Sequence, residues 1–271
     1  MPNEIHAIGT REQLRVTFDR VAESYDRNRP SYPAELFNDV IRISGVNADS
    51  RLLEIGCGTG HATEAFAARG LRIHAIELGE NMAALARHRL AAFPRVTVEI
   101  ADFDSWTTPA RFGLIYAATA WHWLNPTTRE QRISSLLHPS GWLAIWRNQH
   151  IRNGSSDAFL DAAQPIYARV APELVHERGR LPSAENIVTS VPYGLTANYF
   201  AEQEPRVYLW SRAYPSSGYV SMLDTHSDHQ LLPADRRAQL FGELAVLIDS
   251  RFGGSVTKDY ATILQIAQLR A

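Results

Sequence analysis

Apolar residues change their period along the chain, and the changes mark out the elements. From Arg11 to Arg27, Leu14, Phe18, Val21 and Tyr25 recur at three- or four-residue spacing, which predicts an amphipathic helix. Pro30 and Pro33 interrupt it, and a second helix is predicted from Ala34 to about Ile43, closed by Gly45. Leu52-Leu53-Glu54-Ile55 then reads as a short buried strand. It is followed by a helix over His61–Arg69, a strand over Leu71–Glu77, a helix over Asn81–Ala92 and a strand over Arg95–Ala101. Phe112–Ala118 predicts another apolar strand, Thr127–Leu137 a helix stopped by Pro139-Ser140-Gly141, and Trp142–Trp146 a further strand. Strands alternating with helices predict a parallel sheet covered on both faces.

Past Asn148 the alternation stops. Asp157–Val170 carries Phe159, Leu160, Ala163, Ile166, Tyr167 and Val170 on one helical face, and 171–195 is broken by three prolines and two glycines. Regular structure is predicted again over Asn198–Trp210, then a helix over Pro233–Arg251 and a closing strand within Val256–Leu269. The expected organisation is a helical cap over 1–45, a core over 46–150, a lid insertion over 151–196, and completion of the same core by 197–271. The expected fold class is α/β: a Rossmann-like, seven-stranded, mostly parallel sheet.

Composition narrows the partners. Lys and Arg total 27 against 29 Asp and Glu, a net charge of −2, so no basic excess points to nucleic acid or an anionic membrane. No run reaches the roughly 18 apolar residues of a spanning helix, and Met1–Phe18 lacks the apolar core of a signal peptide, so a cytoplasmic location is expected. The single cysteine, Cys57, excludes an intrachain disulfide and multi-cysteine metal sites. His226 and His229 stand three apart without a recognisable ligand set around them, and no metal is expected. Nothing in the pattern assigns an oligomeric state.

The chemistry concentrates where the first strand turns into a helix. Gly56, Gly58 and Gly60 form G-x-G-x-G, not the G-x-G-x-x-G of dinucleotide sites, since position 61 is histidine. Glu54 lies two residues ahead of the loop, where a carboxylate would repel a pyrophosphate and attract an ammonium group. Glu77 ends the second strand, placed to accept two ribose hydroxyls, and Asp102 ends the third, placed to accept from an adenine amino group. An amine, a ribose and an adenine together describe S-adenosylmethionine.

Leu52–Gly60 (LLEIGCGTG), Glu77, Ala101-Asp102-Phe103 and Leu137–Trp142 (LHPSGW) resemble class I S-adenosylmethionine-dependent methyltransferases, in the small-molecule branch called methyltransferase type 11. The resemblance covers about 18–148 and, more faintly, 256–269. It implies that Gly56, Cys57, Gly58, Thr59 and Gly60 close round the methionine portion, that Glu54 orients its ammonium, and that Glu77 holds the ribose. It also implies that Met82 lies against the adenine and that Asp102 and Phe103 read its edge. Tyr25 and Arg29, in a leading segment that folds over the cofactor, would approach the methionine carboxylate. Cys57 is read as a packed thiol and not a nucleophile.

After the fourth strand, Trp121-His122-Trp123 stands where a transferable methyl would point. Trp121 and His122, with Tyr32 from the leading segment, are the expected acceptor-lining residues, and His122 is a candidate general base or a positioning group. The implied activity is in-line methyl transfer to an oxygen or nitrogen of a small molecule, releasing S-adenosylhomocysteine. A non-catalytic S-adenosylmethionine-binding regulator is the alternative. A tRNA methyltransferase fits less well, because Ala118-Thr119-Ala120-Trp121 is not the [DN]PP[YFW] run of amino-methylating base enzymes, and so does a protein methyltransferase, because nothing resembles the paired-glutamate loop of the arginine-modifying branch.

Overall fold

The computed structural model describes residues 30–175, 181–189, 195 and 198–270. The predicted helix over 11–27, with Tyr25 and Arg29, lies outside the described residues. In chain order the elements are α1 (Ala34–Ser44), β1 (Arg51–Ile55), α2 (His61–Ala67), β2 (Arg72–Glu77), α3 (Glu80–Arg89), β3 (Val96–Ile100), β4 (Phe112–Ala118), α4 (Arg129–Leu136) and β5 (Leu137–Ile151). Then come α5 (Asp157–Val170), α6 (Ala184–Thr189), β6 (Phe200–Glu202), β7 (Arg206–Pro215), α7 (Ser216–Asp224), α8 (Ser227–Gln230), α9 (Ala234–Arg251) and β8 (Ser255–Leu269). Among the described residues no helix is long and apolar enough to cross a membrane.

The strands form one eight-stranded sheet in the order β3-β2-β1-β4-β5-β8-β6, with β7 paired to β8. The pairs from β3 through β5 are parallel, and β6 runs antiparallel to β8. The sheet therefore has eight strands where seven were expected, but it keeps the mostly parallel, helix-covered architecture. Its chain order reverses between β1 and β4, and in such sheets the ligand crevice opens beyond the strand ends at that reversal.

The described residues cluster as two compact units. One comprises 31–149, 188–208 and 261 onward; the other comprises 150–187 and 209–260. In the first, β1 is buried from Leu52 to Ile55, as a strand covered on both faces must be. One face packs Leu36, Phe37 and Val40 of α1 and Phe66 of α2 over Tyr116 and Trp146, with Phe66 edge-on to Tyr116 at 4.9 Å. The other face packs Ile133 and Leu136 of α4 with Trp121 and Phe103. The expected turn at Pro139-Ser140-Gly141 is a bulge within β5: pairing jumps from Phe112–Leu137 to Leu114–Trp142, and Ser140 takes φ of 59° to make it.

The second unit has its own core, in which Phe159, Tyr167, Tyr219, Met222, Leu240, Leu244, Ile248 and Tyr260 are all buried. The predicted helix Asp157–Val170 is observed with those bounds. Its start is fastened to buried Asp259, whose Oδ2 accepts from the Ser156 amide (3.1 Å) and hydroxyl (3.0 Å).

Candidate functional site

All the described site residues belong to the first unit. The glycine loop leaves β1 with the amides of Gly56 and Cys57 both donating to the Ile76 carbonyl, at 2.9 and 3.2 Å. Two glycines there answer different demands. A Cβ on Gly56 would sit 2.8 Å from the Ala120 Cβ, so the loop touches the segment leaving β4. Gly58 also has a left-handed φ of 56°, but among the described residues a Cβ there would meet nothing within 4 Å. That open backbone is the surface a ligand can approach closely.

Glu54 is next to last in β1 and has no exposed surface. Its Oε2 accepts from Thr63 of α2 (2.5 Å) and from the hydroxyl of Tyr116 (2.8 Å), which β4 brings alongside by direct register. Its Oε1 is buried and meets no donor among the described residues. Burial raises the carboxyl pKa to about 7, against the pull of the Thr63 and Tyr116 hydrogen bonds, and the charge of Glu77 adds to the rise. A buried carboxylate oxygen lacking a donor is the complement of a cationic N–H group, so the donor set fits an ammonium.

Glu77, at the end of β2, clasps two turns. Its Oε2 accepts from the Gly58 amide (2.8 Å) and its Oε1 from the Gly79 amide (2.9 Å). Asp102 is half-buried one residue beyond Ala101; its Oδ1 accepts from the Asp104 amide (3.1 Å). The three acids thus stand at the ends of three adjacent strands. Phe103 is buried beneath the Arg132 guanidinium, 5.3 Å from its ring centre.

Cys57 is buried, and desolvation foremost, with the charges of Glu54 and Glu77 behind it, pushes its thiol pKa well up. Such a thiol stays protonated and is a poor nucleophile. Thr59 is buried, its carbonyl accepting from Arg89 at 3.0 Å. Met82 is only 5% exposed, whereas Leu78, directly after Glu77, is 39% exposed and presents the open apolar surface at this edge. The sequence reading passed over Leu78; its signal is an apolar residue just past a strand that ends in an acid.

After β4 a short 3-10 turn, Trp121–Trp123, separates the aromatic residues. Trp121 points inward, is 2% exposed and lies under the Arg129 guanidinium at 4.2 Å, while His122 is exposed with its ring 4.7 Å from Trp123. Tyr32 reaches the same edge, its hydroxyl 2.9 Å from Thr119 Oγ1. Thr119 holds φ of 58°, an uncommon and strained conformation for a β-branched residue. The sequence reading did not single out Thr119, Tyr116 or Thr63.

In the second unit His226, Asp228 and His229 come together, with potential ligand atoms within 4.8 Å of one another. His229 Nδ1 lies 2.8 Å from Asp228 Oδ1 and its Nε2 lies 3.1 Å from the Tyr167 hydroxyl. Both ring nitrogens serve a hydrogen-bonded chain.

Residues 52–141 match the family described as "Methyltransferase domain". An uncharacterized methyltransferase of Mycobacterium tuberculosis is 29% identical over 151 residues, 54% of this chain and 58% of that one. The chain therefore aligns with little more than half the length of that relative. A trans-aconitate 2-methyltransferase of Sinorhizobium medicae is 28% identical over 240 residues, 82% of this chain and 85% of the relative. The solved structure of a putative type II methyltransferase from Anaeromyxobacter dehalogenans has the same fold, with a TM-score of 0.63, 23% identity, and coverage of 89% of this chain and 97% of that one.

Proposed function

Taking as premise that the chain carries a class I S-adenosylmethionine-dependent methyltransferase domain, we propose that it binds S-adenosylmethionine and methylates a small molecule at oxygen or nitrogen. The observation that carries the reading is Glu54, a fully buried carboxylate with one oxygen short of a donor beside an open glycine backbone. The bound group would supply an electrophilic methyl on a sulfonium. Glu54 accepts from its ammonium, Glu77 from its ribose, Asp102 from its adenine, and Leu78 lies against the ring. Gly56 through Gly60 let the backbone close on the methionine portion. Tyr25 and Arg29 are assigned to its carboxylate. Phe103 and Met82 support the adenine side from beneath.

In-line transfer asks the protein for placement and exclusion of water above all. Tyr32, held to Thr119, and His122 stand on the acceptor side, His122 to take the proton of a hydroxyl or amine. Trp121 stiffens this wall from within. The trans-aconitate relative favours a carboxylic acid among possible acceptors.

Calorimetric titration with S-adenosylmethionine and S-adenosylhomocysteine, followed by S-adenosylhomocysteine release with carboxylic acids and amines, tests the reading. Micromolar binding and acceptor-dependent release are expected. Absence of binding to folded chain refutes the premise about the cofactor, and tight binding without release for any acceptor refutes the catalytic step.

A further inference from the structure

The opposite edge of the same sheet, where the strands begin, carries a second constellation. Arg51 opens β1 and Arg72 opens β2, and the two are direct register partners in the parallel pair. The Ile73 amide donates to the Arg95 carbonyl (3.0 Å), which brings Arg95 to the same edge just ahead of β3. All three arginines line one cavity of about 330 Å³, and among the described residues no carboxylate lines it. Like charges set directly across a strand pair are destabilising. Nothing among the described residues pairs with the guanidinium groups of Arg51 and Arg72. Asp49, on the rim of an adjoining cavity that they share, makes no ion pair with them.

The remaining wall is aromatic and rigid. His74 stacks on Trp106 with ring centres 5.4 Å apart and planes 28° from parallel. Glu99 holds both rings, Oε2 at 2.9 Å from His74 Nε2 and Oε1 accepting from Trp106 Nε1 at 3.0 Å. Thr97 fixes the other histidine nitrogen at 3.0 Å. The two ends differ in sign: the arginine end is cationic, and Glu99 would repel an anion at the aromatic end.

We propose that this edge binds a small phosphorylated molecule bearing an aromatic ring, of the class of nucleoside polyphosphates. Its phosphates lie on Arg51 and Arg72, with Arg95 at the rim, and its ring lies against the Trp106–His74 wall. Guanidinium forks match phosphate oxygens bidentately, and stacking on an indole suits a planar base. The site uses the starts of the strands and the cofactor reading uses their ends, so either stands without the other.

The test is calorimetric titration of the whole chain at low salt with ATP, with tripolyphosphate and with adenosine, each in the presence of saturating S-adenosylhomocysteine. ATP is expected to bind more tightly than tripolyphosphate, and adenosine more weakly than either. Arg51→Gln with Arg72→Gln is expected to weaken ATP by about tenfold or more, since two charge-assisted contacts are lost. Trp106→Leu should weaken ATP while sparing tripolyphosphate. Because Arg72 is exposed, Arg72→Gln alone keeps the fold and should raise the melting temperature of the free chain at low salt by relieving repulsion. Failure of ATP and tripolyphosphate to bind, loss of ATP binding when S-adenosylhomocysteine is added, or undiminished binding in the double variant overturns the proposal. Equal affinity for ATP and tripolyphosphate overturns the role of the aromatic wall.

Discussion

Tyr116 donates its hydroxyl to Glu54 at 2.8 Å across two adjacent strands, and neither residue has any exposed surface. A phenol and a carboxyl so buried are both held toward their neutral forms. Burial, and then the Glu54 charge, carries the Tyr116 pKa well up, while Glu54 titrates near neutrality. A ligand bringing a positive charge to Oε1 must therefore favour the ionised carboxylate, which makes binding and protonation two faces of one equilibrium.

Cofactor affinity is expected to rise as pH increases through about 7, with net proton release on binding below that value. The free chain has the opposite trend. A carboxyl whose folded pKa is raised from 4.5 to about 7 contributes stability that is present below 4.5 and lost as pH rises through 7. In Glu54→Gln both dependences should flatten, and S-adenosylmethionine should bind roughly 10- to 100-fold more weakly, as for a lost charged hydrogen bond. Calorimetry in buffers of different ionisation enthalpy measures the protons; a pH-independent wild-type affinity would contradict the pairing.

Tyr116→Phe removes one of the two donors that oppose the raised Glu54 pKa and leaves the ring stack on Trp146, at 5.5 Å, in place. The pH midpoint for cofactor binding should move upward relative to wild type. Stability should fall by about 1 kcal/mol, the usual net worth of one hydrogen bond. Denaturant unfolding and the binding pH profile check the two parts separately.

Thr119 stores strain that glycine would release, but the same substitution loses the Tyr32 hydrogen bond. In a Tyr32→Phe background that bond is already gone. There Thr119→Gly should stabilise by roughly 0.5–1 kcal/mol, strain relief less the entropy cost of glycine. Thermal unfolding reads the difference; a destabilised double variant would mean that the conformation costs nothing.

Cys57 should react with a disulfide reagent at pH 8 about 100-fold or more slowly in the folded chain than after unfolding in guanidinium, because it is buried and its thiol is protonated. Absorbance of the released chromophore follows both rates.

Much of the core could be read from the chain because local signals agreed there. The strand before the glycine loop, the acids at strand ends and the helix over Asp157–Val170 each have a period or a punctuation of their own. What escaped depends on pairing. Tyr116 sits within the apolar run FGLIYAA, and nothing local says that its hydroxyl matters; only the β1–β4 register sets it beside Glu54. Arg51 and Arg72 look like ordinary polar strand starts until the β1–β2 register sets them face to face. Trp121 and His122 carry the same local signal, yet a 3-10 turn sends one inward under Arg129 and the other to the surface.

The contact between Gly56 and Ala120 reaches beyond either residue. The Cβ that Gly56 lacks would stand 2.8 Å from that of Ala120, so two positions far apart in the chain share one small volume. Enlarging either side fills the same space, and the cost of doing both is not the sum of the parts. Across related chains these positions should covary, a bulkier residue at 120 being admissible only where 56 stays glycine and the loop moves away. The glycine loop and the segment leaving β4 thereby inherit a shared evolutionary constraint, and a change at 120 is felt by the loop around Gly56.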